Sequence, residues 1–267
     1  MSDVITSVQN QRVKNAVKLR DRRGRQQQRR MIIDGSREIL RAIQAGVQIM
    51  EIFVCPEQCD NDECGRVLEA ATAGSVQLCE VSPRVFQKIS FGDRAEGVVA
   101  VAETPQRNLA DLSCEVGPLI VVLDGIEKPG NIGAIIRSAD GAGVAAVLVV
   151  NGGTDVYNPN TIRASLGTIF SMRVCSTSAD QAKQWLAERN VRIVAAHVDG
   201  AIDYDQCDFT GPTAIVLGSE AGGLSSTWRD ETTTSVRLPM RGVADSLNVS
   251  ATAAVLFYEA LRQRRKA

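Results

Sequence analysis

From residue 119 onward the chain alternates short runs of branched apolar residues with amphipathic stretches, and this alternation constrains the fold more than any other feature. Residues 119–123 (Leu-Ile-Val-Val-Leu) read as a fully apolar strand. Ile132, Ile135, Ile136 and Ala139 follow at i, i+3, i+4 and i+7, one face of a helix. Residues 144–150, 191–196 and 213–217 read as further strands, and residues 179–188 as a helix. Strands separated by helices pair in parallel through crossovers, and a parallel sheet is covered by helices on both faces. Of the 267 residues, 44% are hydrophobic but only 4% aromatic, so the core is built mainly from Val, Ile, Leu and Ala.

Residues 1–102 read as a smaller α/β unit. It has helices at 36–45, 67–73 and 83–89 and strands at 49–54, 76–80 and 97–102. Residues 103–117, which include Pro105, Asn108 and Gly117, suit a linker. Residues 118–267 then form the second domain.

The net charge is −1, but its distribution is uneven. Residues 11–30 hold nine positive charges (Arg12, Lys14, Lys18, Arg20, Arg22, Arg23, Arg25, Arg29 and Arg30) against Asp21, a local balance of +8. A second basic cluster, Arg262, Arg264, Arg265 and Lys266, closes the chain. The residues after Met1 are polar and lack the apolar core of a secretory signal. No apolar run approaches the ~20 residues that span a bilayer. Seven cysteines in that setting suggest a cytoplasmic protein with reduced thiols and no membrane association. Cys55, Cys59 and Cys64 stand close together, but their spacing matches no usual zinc pair and the one histidine, His197, is distant. No metal is therefore expected.

Three segments carry chemistry. In Lys128-Pro129-Gly130-Asn131-Ile132-Gly133, a breaker precedes Asn131, a good helix N-cap. Arg137 follows about 140° around that helix from Ile132, off the apolar stripe. In the second segment, the apolar strand at 213–217 ends in Gly218, followed by Glu220, Gly222 and Gly223. Glycine-rich loops at strand C-termini are where open α/β sheets hold ligands. In Leu238-Pro239-Met240-Arg241-Gly242, a strand end meets a tight loop. Ser246, Leu247 and Asn248 then precede an apolar run, 249–261, that reads as a buried helix. Each segment alone also admits a plain reading: a capped helix with a solvated arginine, an ordinary turn, and a core helix capped by Ser246 or Asn248. Gly141-Ala142-Gly143-Val144-Ala145-Ala146 fits G-x-G-x-x-A, but it follows a helix and enters a strand, the wrong order for a dinucleotide loop. His197 has no nucleophile motif near it and reads as a pocket-lining or loop residue.

In their order and spacing the three segments resemble the motifs of the SpoU (TrmH) branch of the SPOUT methyltransferases, over about residues 119–262. The N-terminal unit is similar to that family's ribosomal-protein-like substrate-binding domain. The resemblance implies an α/β fold with a C-terminal trefoil-knotted SPOUT methyltransferase domain, a threading rare among folds. It implies S-adenosyl-L-methionine held by the knotted loops, with Gly218, Leu238 and Leu247 as cofactor contacts, largely through backbone. It also implies a homodimer whose site is completed across the interface, and methyl transfer to a ribose 2′-hydroxyl of RNA. Arg137 is then placed at that oxygen. A guanidinium keeps its proton, so the expected role is to stabilise the developing alkoxide and grip the adjacent phosphate. Asn131, Glu220, Ser246 and Asn248 would fix Arg137 and the ribose.

The basic segment then acquires a partner, with Arg22, Arg23 and Arg25 as RNA phosphate contacts; a solvated charged helix is the plain alternative. The N-terminal module favours ribosomal RNA over tRNA. A tRNA 2′-O-methyltransferase and a non-catalytic RNA-binding protein with the knotted fold stay open as alternatives. A nucleotide-binding oxidoreductase is disfavoured by the misplaced glycine pattern.

Overall fold

A computed structural model of the chain describes residues 4–91, 96–113, 116–153, 155–220 and 222–266. It divides into two compact units: Met1–Gln106 with Tyr157–Ser171, and Arg107–Val156 with Met172–Ala267. Within the expected linker, residues 114 and 115 lie outside the described residues.

The first unit runs α1 (Gln11–Lys18), α2 (Arg22–Gln28), β1 (Arg30–Asp34), α3 (Ser36–Gln44), β2 (Ile49–Val54), α4 (Asp62–Ala73), β3 (Gln77–Glu80), α5 (Pro83–Ile89) and β4 (Val98–Glu103). Its sheet has the order β1-β4-β2-β3, with β4 antiparallel to both neighbours and β2 parallel to β3. Alternate strand residues point to opposite faces. Ile32, Phe53, Val99 and Val101 meet Val13, Ala16 and Leu19 from α1 and its end, and Val85, Phe86 and Ile89 from α5. The alternate residues Met31, Ile33, Ile52 and Ala100 are buried as well, and α3 packs on β1 and β4. Sequence periodicity missed β1, because its apolar centre, Met31-Ile32-Ile33, is short and flanked by Arg30 and Asp34. Asn61 caps α4 by accepting from the Cys64 amide at 2.8 Å, which starts that helix a turn before residue 67.

Cys59 and Cys64 are joined as a disulfide across the start of α4, with Cα atoms 5.6 Å apart. For this pair the expectation of reduced thiols is corrected: the first turn of the helix brings two cysteines five residues apart within bonding reach. Cys55, Cys79, Cys175 and Cys207 are buried free thiols, and burial pushes each of their pKa values up.

The second unit begins with β5 (Leu119–Asp124), α6 (Pro129–Gly141) and β6 (Ala146–Val150). The next two helices, α7 (Pro159–Ala164) and α8 (Thr168–Ser171), belong to the first unit, α7 against β1 and α8 against α3. There Arg41 donates to the Leu166 carbonyl at 2.6 Å and Arg163 to the Phe91 carbonyl at 2.7 Å. A single boundary near 103–117 does not describe this division, because local pattern does not show the sheet on which a distant segment docks.

The second unit resumes with β7 (Val174–Thr177), α9 (Ala179–Glu188), β8 (Arg192–Ala196), β9 (Ile202–Asp203), β10 (Thr213–Gly218), β11 (Thr233–Arg237) and α10 (Val249–Arg264). The sheet order is β7-β6-β5-β10-β8-β11-β9, and every neighbouring pair is parallel. Ala182, Trp185 and Leu186 of α9 cover one face, over Ile120, Val122, Leu148, Ala195 and Val216. On α6, Ile132, Ile135, Ile136 and Ala139 are all buried, the stripe read from the sequence. α10 packs against α6 and β10. It buries Val249, Ala253, Leu256, Phe257 and Ala260 only, and Tyr258 stands 52% exposed. The expectation of a helix buried on most sides is corrected to a helix with one core face.

Candidate active site at the C-terminal edge of the parallel sheet

In parallel register, Gly218 at the end of β10 lies opposite Asp124 at the end of β5, so the loops that follow both strands leave from the same edge of the sheet. Asp124 is a 2% exposed carboxylate. It accepts from the Asn151 side chain at 2.8 Å and from the Ser225 amide at 2.6 Å. A buried polar group of this kind is held in place by its donors and fixes them in turn. Asp124 therefore anchors the far end of the glycine-rich loop to the edge of the sheet.

That loop is a tight reversal. The Ser219 amide donates to the Gly223 carbonyl and the Gly223 amide to the Ser219 carbonyl, both at 3.0 Å. The Gly222 amide donates to Ser219 Oγ at 2.9 Å. Gly223 has φ +64°, which favours glycine. A Cβ on Gly218 would sit 2.4 Å from the Gly223 carbonyl carbon and 2.5 Å from its oxygen. Position 218 must therefore be glycine for the loop to fold back on its strand. Ala221, within this motif, lies outside the described residues.

Glu220 projects from the loop and draws the three motifs together. Its Oε1 accepts from Asn131 Nδ2 at 3.0 Å and from Asn248 Nδ2 at 2.9 Å, and Asn248 Nδ2 lies 3.4 Å from Asn131 Oδ1. Its Oε2 accepts from Lys128 Nζ. The Lys128 hydrogen bond is the main reason that the Glu220 carboxyl titrates below the usual range. Lys128 is a site residue that sequence reasoning passed over, although it stood one residue before Pro129 in a motif already marked. Asp124 was also missed; the signal was a carboxylate ending an otherwise apolar strand.

Asn248 is the N-cap of α10, and its Oδ1 accepts from the Ser250 amide at 2.9 Å and from Ser250 Oγ at 2.6 Å. Asn131 is not a cap. Lys128 occupies the N-cap position of α6, Pro129 takes the first helical position, and Asn131 falls inside the first turn, aimed at Glu220. Proline at that position is preorganised for a helix start, which places the cap three residues N-terminal of Asn131.

Arg137 lies two turns along α6, exposed, and has no hydrogen-bond or ion-pair partner among the described residues. Ser246 and Leu247 lie in the exposed loop before α10, Leu247 40% exposed. A cavity of about 420 Å³ opens between the loops after β8, β10 and β11. Gly218, Leu238 and Leu247 line it, together with Glu220, Ser246 and His197. Its size falls in the ~300–1,000 Å³ range of small-molecule pockets. Its walls combine apolar Leu217, Leu224 and Val249 with the glycine turn at Gly218, Gly222 and Gly223. Its place, outside the carboxyl ends of parallel strands, is where open α/β sheets bind ligands.

The expected RNA contacts separate in the structure. Arg22 and Arg23 are exposed, but Arg25 is 3% exposed. Its Nη1 donates to the Leu19 carbonyl at 2.9 Å and the Arg20 carbonyl at 2.7 Å. Arg25 as a phosphate contact is therefore corrected: a guanidinium used to close the α1–α2 turn is withdrawn from solvent. Arg12 and Arg20 are likewise engaged, Arg12 with Glu51 at 3.0 Å and Arg20 with the Lys88 and Ile89 carbonyls at 2.7 Å.

Residues 118–258 match the SpoU rRNA Methylase family, and residues 10–100 match the MRM3-like substrate binding domain. A 23S rRNA (uridine(2479)-2′-O)-methyltransferase of Streptomyces viridochromogenes is 37% identical over 185 residues, which span 66% of this chain and 64% of that protein. A crystal structure described as an RNA 2′-O ribose methyltransferase is 42% identical, with TM-score 0.86 over 98% of this chain and 100% of the other. An AdoMet-bound rRNA methyltransferase from Sinorhizobium meliloti is 28% identical, with TM-score 0.87 over 97% of each chain.

Proposed function

Because this chain belongs to the SpoU rRNA methylase family, we propose that it transfers a methyl group from S-adenosyl-L-methionine to a ribose 2′-hydroxyl of ribosomal RNA. The observation that carries the reading is the Glu220 junction. One carboxylate draws together Asn131, Asn248 and Lys128 beside a cavity of about 420 Å³. When bound, S-adenosyl-L-methionine supplies an electrophilic methyl group on a sulfonium. Gly218, Leu238 and Leu247 would hold it, the glycine because a side chain there would collide with the Gly223 backbone and force the loop open.

The chain's task is to make the ribose oxygen nucleophilic as the hydroxyl proton passes to solvent water. Arg137, exposed and unpaired among the described residues, stabilises negative charge on that oxygen and grips the neighbouring phosphate. Glu220 keeps the start of α6 and the start of α10 in register, so that Asn131 and Asn248 present fixed edges to the ribose. Ser246, at the cavity wall, completes the set.

The loops after β10 and β11 pass through one another as the family's knot, and the active form is a homodimer. The outward strip of α10 (Ala251, Val255 and Tyr258, at i, i+4 and i+7) suits packing against a second copy. A cytoplasmic location goes with this substrate. No helix among the described residues is long and apolar enough to cross a membrane.

The test is methyl transfer from radiolabelled S-adenosyl-L-methionine to total rRNA and, separately, total tRNA, with nuclease mapping. A labelled 2′-O-methyl nucleotide in rRNA supports the reading. Label in tRNA alone moves the substrate, and no label despite cofactor binding selects the non-catalytic reading.

A further inference from the structure

Resting on the RNA methyltransferase reading, we propose that the outer surface of the α1–α2–α5 layer is a platform for the phosphate backbone of double-helical RNA. It would grip a base-paired stem and leave unpaired bases unread. Two independent observations point there.

The first is charge. α1 and α5 lie side by side over one face of the first unit's sheet, through Val13, Ala16, Leu19, Val85, Phe86 and Ile89. Arg20 binds the end of the layer by donating to the Lys88, Ile89 and Ser90 carbonyls at 2.5–2.7 Å. With these apolar positions turned inward, Lys14 and Lys18 on α1, Arg23 on α2, and Arg84 and Lys88 on α5 are left exposed. Lys14 and Lys18 are one helical turn apart, as are Arg84 and Lys88. None of the five has a carboxylate partner among the described residues. Residues 11–28 and 83–89 together contain a single acid, Asp21. Arg84 and Lys88 stand more than 50 residues from the basic N-terminal run in sequence, and only the packing of α5 beside α1 joins them to it.

The second observation is what the surface lacks. Proteins that read unpaired RNA stack bases on exposed aromatic rings, whereas helical RNA is held by its phosphates and shape. Phe53 and Phe86 of this unit are fully buried, Tyr157 is 5% exposed, and Phe170 is 1% exposed. Phe91 is half-buried under the Arg20 guanidinium, 5.8 Å from its centroid. The exposed neighbours of the cations are amides instead: Gln11, Gln26, Gln27 and Gln87. A surface of cations and amides, with no free ring among the described residues, is built for phosphate oxygens.

The experiment measures binding of the full chain to an RNA duplex of about 16 base pairs and to one of its strands alone, across a salt series. It is repeated for Lys14→Ala/Lys18→Ala and for Arg84→Ala/Lys88→Ala, with S-adenosyl-L-methionine affinity and methyl transfer to rRNA measured alongside. The expected result is tighter binding of the duplex. Each double variant should lower the slope of log affinity against log salt by about two, one per lost phosphate contact, with cofactor affinity unchanged. Equal or tighter binding of the single strand, or an unchanged slope in both variants, overturns the platform. If the duplex preference and slope changes appear without methyl transfer, the platform stands and the enzymatic reading fails. If methyl transfer is intact without them, the reverse holds.

Discussion

Glu220 Oε1 accepts from Asn248 Nδ2 at 2.9 Å, tying the loop after β10 to the residue that caps α10. The same oxygen accepts from Asn131 at 3.0 Å, so one carboxylate sets the relative positions of two helix starts. A side chain in this place acts by position, and its loss is felt wherever those helix starts aim their groups.

Glu220→Gln removes the anion that Lys128 pairs with and swaps one acceptor for a donor, which must face either the Lys128 ammonium or the two asparagine amides. Single-turnover methyl transfer should slow by about 10²-fold, the scale of a small misplacement at a reacting centre. The melting temperature should change little, since the group is solvent-accessible. A rate within a factor of two of the parent would remove Glu220 from the positioning role.

Arg137→Lys keeps the charge but loses the planar two-pronged donor. The expected outcome is a ~10²–10³-fold fall in methyl transfer, the size of losing one oxyanion donor. Cofactor affinity, read by calorimetry, should be unchanged. Near-normal turnover would show that a point charge suffices.

Gly218→Ala places a Cβ 2.4 Å from the Gly223 carbonyl carbon, and the turn must open to admit it. Overpacking of this kind costs about 1–3 kcal/mol. We expect a lower melting temperature together with at least a tenfold loss of S-adenosyl-L-methionine affinity. Unchanged cofactor binding would detach this loop from the cavity's ligand.

Arg25→Ala and Arg23→Ala should separate structure from binding. Arg25→Ala leaves the Leu19 and Arg20 carbonyls without their donor and should cost about 1–3 kcal/mol in denaturant unfolding, with the salt slope of RNA binding unchanged. Arg23→Ala, exposed on α2, should reduce that slope by about one with stability unchanged. The opposite assignment would restore Arg25 as a phosphate contact.

Asp34 is 7% exposed, and burial pushes its carboxyl up from 3.8 to about 6, against the opposing effect of the Phe91 amide that it accepts at 2.7 Å. With the folded pKa above the unfolded one, the folded state holds the extra proton between about pH 4 and 6, so stability falls as pH rises through that window and then levels. The shift corresponds to about 3 kcal/mol. Asp34→Asn keeps an acceptor for Phe91 and carries no proton to lose. Its stability relative to the parent should rise from pH 4 to pH 7 in urea unfolding, and a flat difference would contradict the burial argument.

Much of the second unit was legible because its signals are local. The apolar run at residues 119–123, rich in Val and Ile and bounded by Pro118 and Gly125, reads as a buried strand, and Ile132, Ile135, Ile136 and Ala139 face one side of any helix that contains them. The glycine turn after β10 was legible for the same reason. Boundaries were less so. Pro129 began α6 two residues before Asn131, and β1 was hidden by the charges at its ends.

By itself the sequence determined the alternation of elements, hence a parallel sheet, and the three short segments whose residue types carry the chemistry. Tertiary structure alone decided three things. It brought Asn131, Glu220 and Asn248, separated by 89 and 28 residues, onto one carboxylate. It divided the cations of residues 11–30 between those that brace the fold, among them Arg12, Arg20 and Arg25, and those left exposed, among them Lys14, Lys18 and Arg23, because helix packing chooses which face is turned inward. It also sent Tyr157–Ser171 to the first unit. Periodicity specifies the face that a segment buries, but the partner that covers the face is a long-range choice, made by the complementarity of surfaces far apart in the chain.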